Sequence, residues 1–268
     1  MPALKDVVDL LHGWYPPHTA DEWDAVGLVY GDPAVRVGKV LFAVDPAPEV
    51  ALEAAAWGAD LLVVHHPLFL KPVHGFAATT PKGRTLATLA GAGCALLTAH
   101  TNADQALDGV SEAMAIALGL TDLAPLVPAR HESGASTGTG RIGTVAETTL
   151  GDFAATVASA LPETVQGVRV AGERERVVRR VALCGGAGDF LLDTVAGTDA
   201  DVYVTSDLRH HPAAEFAERG GPALIDVAHW SAESMWLPVV ETKLAAALGD
   251  TVETRVSTIR TDPWQFRA

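Results

Sequence analysis

The sequence predicts an α/β protein built from two related lobes, and three observations carry that expectation. Short apolar runs of strand length alternate with alanine- and leucine-rich stretches of helical spacing. Stretches in the first half are echoed in the second. A turn-rich interval separates the halves.

In the first half, Leu4, Val7, Val8, Leu10 and Leu11 recur at helical spacing and predict a helix ending near Gly13, broken by Tyr15-Pro16-Pro17. Glu22 to Leu28 reads as an irregular segment carrying two acids. Val37 to Val44 predicts a strand ending at Asp45-Pro46, where Asp45 either lines a site or caps the next helix, about Pro48 to Trp57. Leu61 to Val64 is an apolar run of the kind that fills a buried parallel strand, and Pro67 prevents its continuation. His65 and His66 therefore stand at a strand end, on the carboxyl side where open α/β sheets hold ligands. Neutral imidazole is the commonest metal ligand, so the pair reads either as a metal site or as loop hydrogen-bonding groups. Arg84 to Leu89 is helical, and Ala95 to Ala99 is a strand that runs into His100-Thr-Asn-Ala-Asp104. Strand, helix, strand in succession implies parallel neighbours, which puts His65, His66, His100 and Asp104 at one edge of one sheet. Gly109 to Leu118 supplies the next helix.

Between Thr121 and Gly143 the pattern lapses into turn formers, including Pro125, Pro128 and the run from Gly134 to Gly140. The expected division is an N-terminal lobe over 1–125, a linker over 126–140 and a C-terminal lobe over 141–268. Strands near Ile142 to Ala146, Val168 to Val170 and Val177 to Leu183 enclose a helix from about Asp152 to Leu161. The last strand enters Cys184-Gly-Gly-Ala-Gly-Asp189, a turn that could present N–H groups to an anion. It has neither the Lys-Ser/Thr of a Walker loop nor the full dinucleotide spacing, so close packing of strand against helix is the preferred reading. Asp201 to Thr205 is a strand ending in Ser206-Asp207, followed by a helix over Pro212 to Arg219 and a strand over Ala223 to Val227. Ser231 to Leu248 makes a long helix that Pro238 should kink or split, before a last strand over Val252 to Thr258.

The echo aligns Gly93 to Asp104 with Gly221 to Glu233, with one extra residue in the second copy, and Ala59-Asp60 with Ala200-Asp201. Each copy sets a histidine four residues before a carboxylate, His100 with Asp104 and His229 with Glu233, so that on a helix the two share a face. His65, His66, Asp104, His229 and Glu233 together offer nitrogens and carboxylates without thiolate. That is too many ligands for one tetrahedral zinc and suits two divalent ions, with zinc, manganese or iron acceptable.

Composition narrows the function classes. Thirty-three acidic against 19 basic residues give a net charge of −14 with no dense Lys/Arg cluster, which disfavours nucleic acid as a bulk partner. Cys94 and Cys184 each lie in apolar stretches and read as buried thiols rather than a disulfide framework. With acids inside the N-terminal segment and no run of membrane-spanning length, a soluble, cytoplasmic protein is expected, with no membrane partner.

Taken together, Trp23-Asp-Ala-Val-Gly-Leu28, Asp45, His65-His66-Pro67, His100-Thr-Asn-Ala-Asp104, Gly185-Gly-Ala-Gly188, Thr205-Ser-Asp207 and His229-Trp-Ser-Ala-Glu233 resemble the Nif-three-like family, the GTP cyclohydrolase one type two homologues. The resemblance implies two related α/β lobes with a dinuclear metal site between them, and a ring-shaped homohexamer. It carries the metal-ligand role to His65, His66, Asp104, His229 and Glu233, with His100, Asp45 and Asp207 lining the site. Longer relatives carry an inserted domain between the lobes, for which 121–143 is too short. Ala25, Ala103 and Ser206 depart from the usual residues, the last at the pocket floor. The implied activity is hydrolysis of a nucleotide-like or phosphoester small molecule by a metal-bound hydroxide, with His100 or Asp207 moving protons. The alternative is a non-enzymatic hexamer that binds metal or a partner protein.

Overall fold

The computed structural model describes residues 1–129 and 136–268. The chain divides into one unit of Met1–Ala103 with Leu237–Thr261 and another of Asp104–Trp236 with Asp262–Ala268.

Helix α1 (Leu4–Trp14) opens the first unit and buries Leu4, Val7, Val8 and Leu11, the residues whose spacing predicts it. The segment expected to be irregular ends in a strand, β1 (Gly27–Tyr30), which pairs antiparallel with β4 below. β2 (Lys39–Ala43), α2 (Pro48–Trp57), β3 (Leu61–Val64), α3 (Pro81–Ala92) and β4 (Ala95–Thr98) follow, and β2, β3 and β4 are parallel neighbours. All four residues of β3 are fully buried, as an apolar run covered on both faces requires. Each such side chain stabilises the fold by about 1.5–3 kcal/mol relative to exposure. Ala43 lies opposite Val64, and Val64 opposite Thr98. The strands therefore end level, and Asp45, His65, His66 and His100 emerge from one carboxyl edge. Helix α4 (Thr101–Gln105) then carries the chain into the second unit.

That unit contains α5 (Val110–Ala117), β5 (Thr121–Pro128), β6 (Gly138–Thr149), α6 (Leu150–Ala160), β7 (Arg169–Ala171), β8 (Val177–Ala187), α7 (Leu192–Ala196), β9 (Val202–Ser206), α8 (His210–Glu218), β10 (Ala223–Val227) and α9 (His229–Ser234). Its sheet runs β5-β6-β8-β9-β10-β7, with β8, β9 and β10 parallel and the outer strands antiparallel. The turn-rich interval thus carries an antiparallel strand pair, β5 with β6, and the linker expected over 126–140 begins and ends inside those strands. The interval's prolines were the misleading signal: Pro125 and Pro128 sit on the sheet's edge strand, where a sheet tolerates proline. The part of the Gly134 to Gly140 run before residue 136 lies outside the described residues.

The long helix is split as Pro238 predicts, into α9 and α10 (Leu237–Leu248), and the division between units falls at the split. β11 (Glu253–Val256) pairs parallel with β2 and completes the first sheet in the order β1-β4-β3-β2-β11. The chain's last helix and strand therefore belong to the first unit, whereas the sequence division assigns them to the C-terminal lobe. The sequence division has no way to place this return, because it follows from the pairing of β11 with β2. Among the described residues no helix is long and apolar enough to cross a membrane.

Candidate metal centre

In the first unit the ends of β3 and β4 bring three imidazoles together. The ring centroids of His65 and His66 are 5.1 Å apart, those of His65 and His100 5.0 Å and those of His66 and His100 5.6 Å. One nitrogen from each ring lies within 4.8 Å of the others, a group that could hold a metal ion. Asp104 sits further along α4 and is not one of this group. His100, read from sequence as a lining residue, stands among the imidazoles.

Each ring is oriented by its other nitrogen. His65 Nδ1 lies 2.9 Å from the carbonyl oxygen of Ala99, an atom with no proton to give, so Nδ1 is the N–H and Nε2 carries the lone pair. His66 Nδ1 donates to Oδ1 of Asp45 at 2.7 Å, and His100 Nδ1 donates to Oδ1 of Asp24 at 2.8 Å. This is the arrangement by which metal-binding histidines are held in one tautomer. Asp45, for which a capping role was equally open, acts here: its other oxygen accepts from Thr261, while the N-cap of α2 is Ala47 with no side-chain cap bond.

Asp24 is the more deeply set of these carboxylates. Burial raises its pKa, but the hydrogen bonds from His100 and from the hydroxyl and amide of Thr101 outweigh burial and hold it well below the usual carboxylate range. Asn102 fixes the same turn, with its Oδ1 accepting the amide of His100 at 2.9 Å and its Nδ2 donating to the carbonyl of Tyr15 at 2.7 Å. The orienting roles of Asp24 and Asn102 were not read from the sequence. The signal for both is adjacency: Asp24 follows Trp23 in a motif already noted, and Asn102 stands within the His100 to Asp104 segment.

The second unit presents a smaller group by the same logic. His229 opens α9 at the end of β10, and its Nδ1 donates to Oδ2 of Asp207 at 2.6 Å. That bond holds Asp207 below the ordinary carboxylate range against its partial burial. One helical turn on, Oε1 of Glu233 lies 2.8 Å from Nε2 of His229. With the ring proton on Nδ1, both of these atoms bring lone pairs, so the contact calls for a positive charge, a shared proton or a cation beside the pair. This donor set of imidazole and carboxylate suits a divalent metal ion of zinc, manganese or iron type.

The glycine-rich segment explains how Glu233 and His229 are seated. β8 continues through Ala187, so Gly185 and Gly186 belong to the strand rather than to a turn opening a helix. Gly186 has φ +72°, and a Cβ there would lie 2.5 Å from Oε1 of Glu233 and 3.4 Å from Nε2 of His229. A Cβ on Gly188 would fall 2.3 Å from the hydroxyls of Thr205 and Tyr203. Close packing is what these glycines supply, the preferred reading of the sequence. Ser206, the departure at the expected pocket floor, is fully buried at the end of β9, next to Asp207.

The chain matches the family Duf34/NIF3 (NGG1p interacting factor 3) over residues 2–263. It is 45% identical over 273 residues to the GTP cyclohydrolase 1 type 2 homolog of Streptomyces coelicolor, covering 98% of this chain and 94% of that protein. To the protein of the same name from Mycobacterium tuberculosis it is 36% identical over 368 residues, covering 98% of this chain and 97% of the relative. Among solved structures, a Bacillus cereus protein related to NIF3 matches with a TM-score of 0.89 at 25% identity, over 99% of each chain. Staphylococcus aureus protein SA1388 matches equally, with a TM-score of 0.89 at 28% identity and 99% coverage of both.

Proposed function

Because the chain belongs to the Duf34/NIF3 family, we propose that it is a metal-dependent hydrolase in which His65, His66, Asp104, His229 and Glu233 hold two divalent ions and the substrate is a nucleotide-like or phosphoester small molecule. The observation that carries this reading is the set of imidazoles whose Nδ1 atoms are each committed to an oxygen, which presents every Nε2 lone pair for ligation. The names of the relatives support the nucleotide side of the proposal, since they are called homologues of a GTP cyclohydrolase.

Bound divalent ions would supply Lewis acidity and make a water nucleophilic near neutral pH. The chain's own residues would do the rest. Glu233 is nearly fully buried one turn into α9 and brings a carboxylate beside Nε2 of His229. His100 accepts a proton at Nε2, with its Nδ1–H held by Asp24 and the resulting positive charge stabilised by that carboxylate. Asp207 acts through His229, because its carboxylate is taken up by the ring. The test is a turnover screen of nucleotides and phosphodiesters with metal-loaded protein beside the Asp104→Ala variant. Hydrolysis by the wild type that disappears in the variant supports the reading, and none across the panel counts against it.

A second reading is supported by the family's printed description as an interacting factor. In it the protein is a hexamer that binds metal and a partner protein without turnover. The same screen separates the two, since this reading expects metal uptake with no product.

A further inference from the structure

Asp226 is a buried carboxylate outside the proposed ligand set, and it is tied to a residue that touches that set. It lies in β10, three residues before His229, and is only 5% exposed. Its Oδ1 accepts the amide N–H of Leu208 at 2.9 Å. Its Oδ2 accepts from Gln166 Nε2 at 2.9 Å, from Arg169 Nε at 2.8 Å and also from Arg169 Nη2. A buried charge needs such partners, and here a guanidinium from the neighbouring strand β7 supplies the neutralising one.

Leu208 follows Asp207, which has φ +58°, in the left-handed region that a side chain with a Cβ adopts at a cost. Asp207 through Arg209 lies between the end of β9 and the start of α8, with no ladder to hold it. A strained conformation persists only where its surroundings over-determine it. On one side of Asp207 is β9, and on the other is the Leu208 amide, held by Asp226. The conformation aims the Asp207 carboxylate at Nδ1 of His229, 2.6 Å away.

We propose that Asp226, neutralised by Arg169, is a positioning residue that holds Asp207 in its left-handed conformation and so fixes the tautomer of His229. Asparagine replaces it only in part. With its oxygen toward Leu208, its NH2 faces the donors of Arg169 and Gln166; with the oxygen turned toward those, its NH2 faces the Leu208 amide. Either orientation leaves one set of donors unanswered.

The proposal deepens the metal reading given above and rests on it only in part, so its test has two arms. In the first, selective 15N-histidine labelling of metal-free protein, at a pH high enough that the ring carries a single proton, reports the His229 tautomer, with the signals assigned from the His229→Gln spectrum. In the second, zinc alone is titrated by calorimetry. Asp226→Ala is expected to give a mixed His229 tautomer and zinc affinity lower by about 10- to 100-fold, with Asp226→Asn changed in the same direction by less. Asp201→Ala is the control. Asp201 accepts the amides of Arg179 and Arg180 at 2.8 Å each, before β9, and its loss should lower stability without touching the tautomer. A folded Asp226→Ala protein with the wild-type tautomer overturns the proposal. Should that variant fail to fold, Asp226→Val, which keeps a strand former of similar bulk without an acceptor, takes its place, and a wild-type tautomer there overturns the proposal equally. If the wild type takes up no zinc, the metal reading fails, and the tautomer arm still decides the role of Asp226.

Discussion

Nε2 of His229 lies 2.8 Å from Oε1 of Glu233, one turn along the same short helix. A cation at that pair would be partly neutralised by the Glu233 carboxylate, so Glu233→Gln should lose at least one bound ion while keeping its shape. The fold should change little, because α9 is also anchored by buried Ala232 and Ser231. Metal stoichiometry measured beside circular dichroism checks this. Full occupancy with an intact fold would show that Glu233 is not a ligand, and loss of the fold would show that its role is structural.

Gly186→Ala tests the close approach of β8 to the same carboxylate. The added methyl would lie 2.5 Å from Oε1 of Glu233 on a backbone with φ +72°. Left-handed strain and overpacking together should cost about 2–4 kcal/mol, read as a lower thermal midpoint. Metal affinity should fall with it, because Glu233 has to move. A substitution at Gly91, where a Cβ meets nothing within 4 Å, should do neither.

Much of this arrangement was legible in the sequence. The apolar run at Leu61 to Val64 and the largely apolar run at Ala223 to Val227, broken only by Asp226, are strands buried on both faces, as runs of that length suggest. Histidines directly after such runs fall at the sheet edge by geometry, whatever the tertiary detail. Cys94 and Cys184 are buried as their surroundings predict, and burial pushes the Cys94 thiol up to about 12. What was not legible depended on long-range pairing. Pro125 and Pro128 read as a linker because nothing local says that β5 is an edge strand. The commitment of Asp24 to His100 links residues 76 apart in sequence, and the Asp226 to Leu208 bond depends on the register of β9 with β10. The return of α10 and β11 to the first unit likewise follows from pairing with β2, which no periodicity reports.

Asp24 gives the fold an acid dependence. Its pKa is depressed in the folded state despite burial, so its contribution is present above the unfolded value of about 3.9 and is lost as pH falls through the folded one. Unfolding free energy of chelated protein should therefore decline as pH drops below about 4. Asp24→Asn should flatten that decline and cost about 1–3 kcal/mol near neutrality, the range for leaving buried donors poorly answered. Urea titrations of both proteins across the acid range supply the comparison. An unchanged slope in the variant would remove Asp24 as the source.

The proposed hexamer predicts a single species of six chains in solution. Light scattering at micromolar concentration checks it directly. A stable monomer would contradict the assembly while leaving the fold untouched.

The central claim is that these histidines and carboxylates constitute a two-ion centre, and elemental analysis of the purified protein tests it most directly, before and after reloading with zinc, manganese or iron. The expected content is close to two divalent ions per chain, falling in His65→Ala and Glu233→Gln. No more than trace metal in the reloaded wild type would contradict the account.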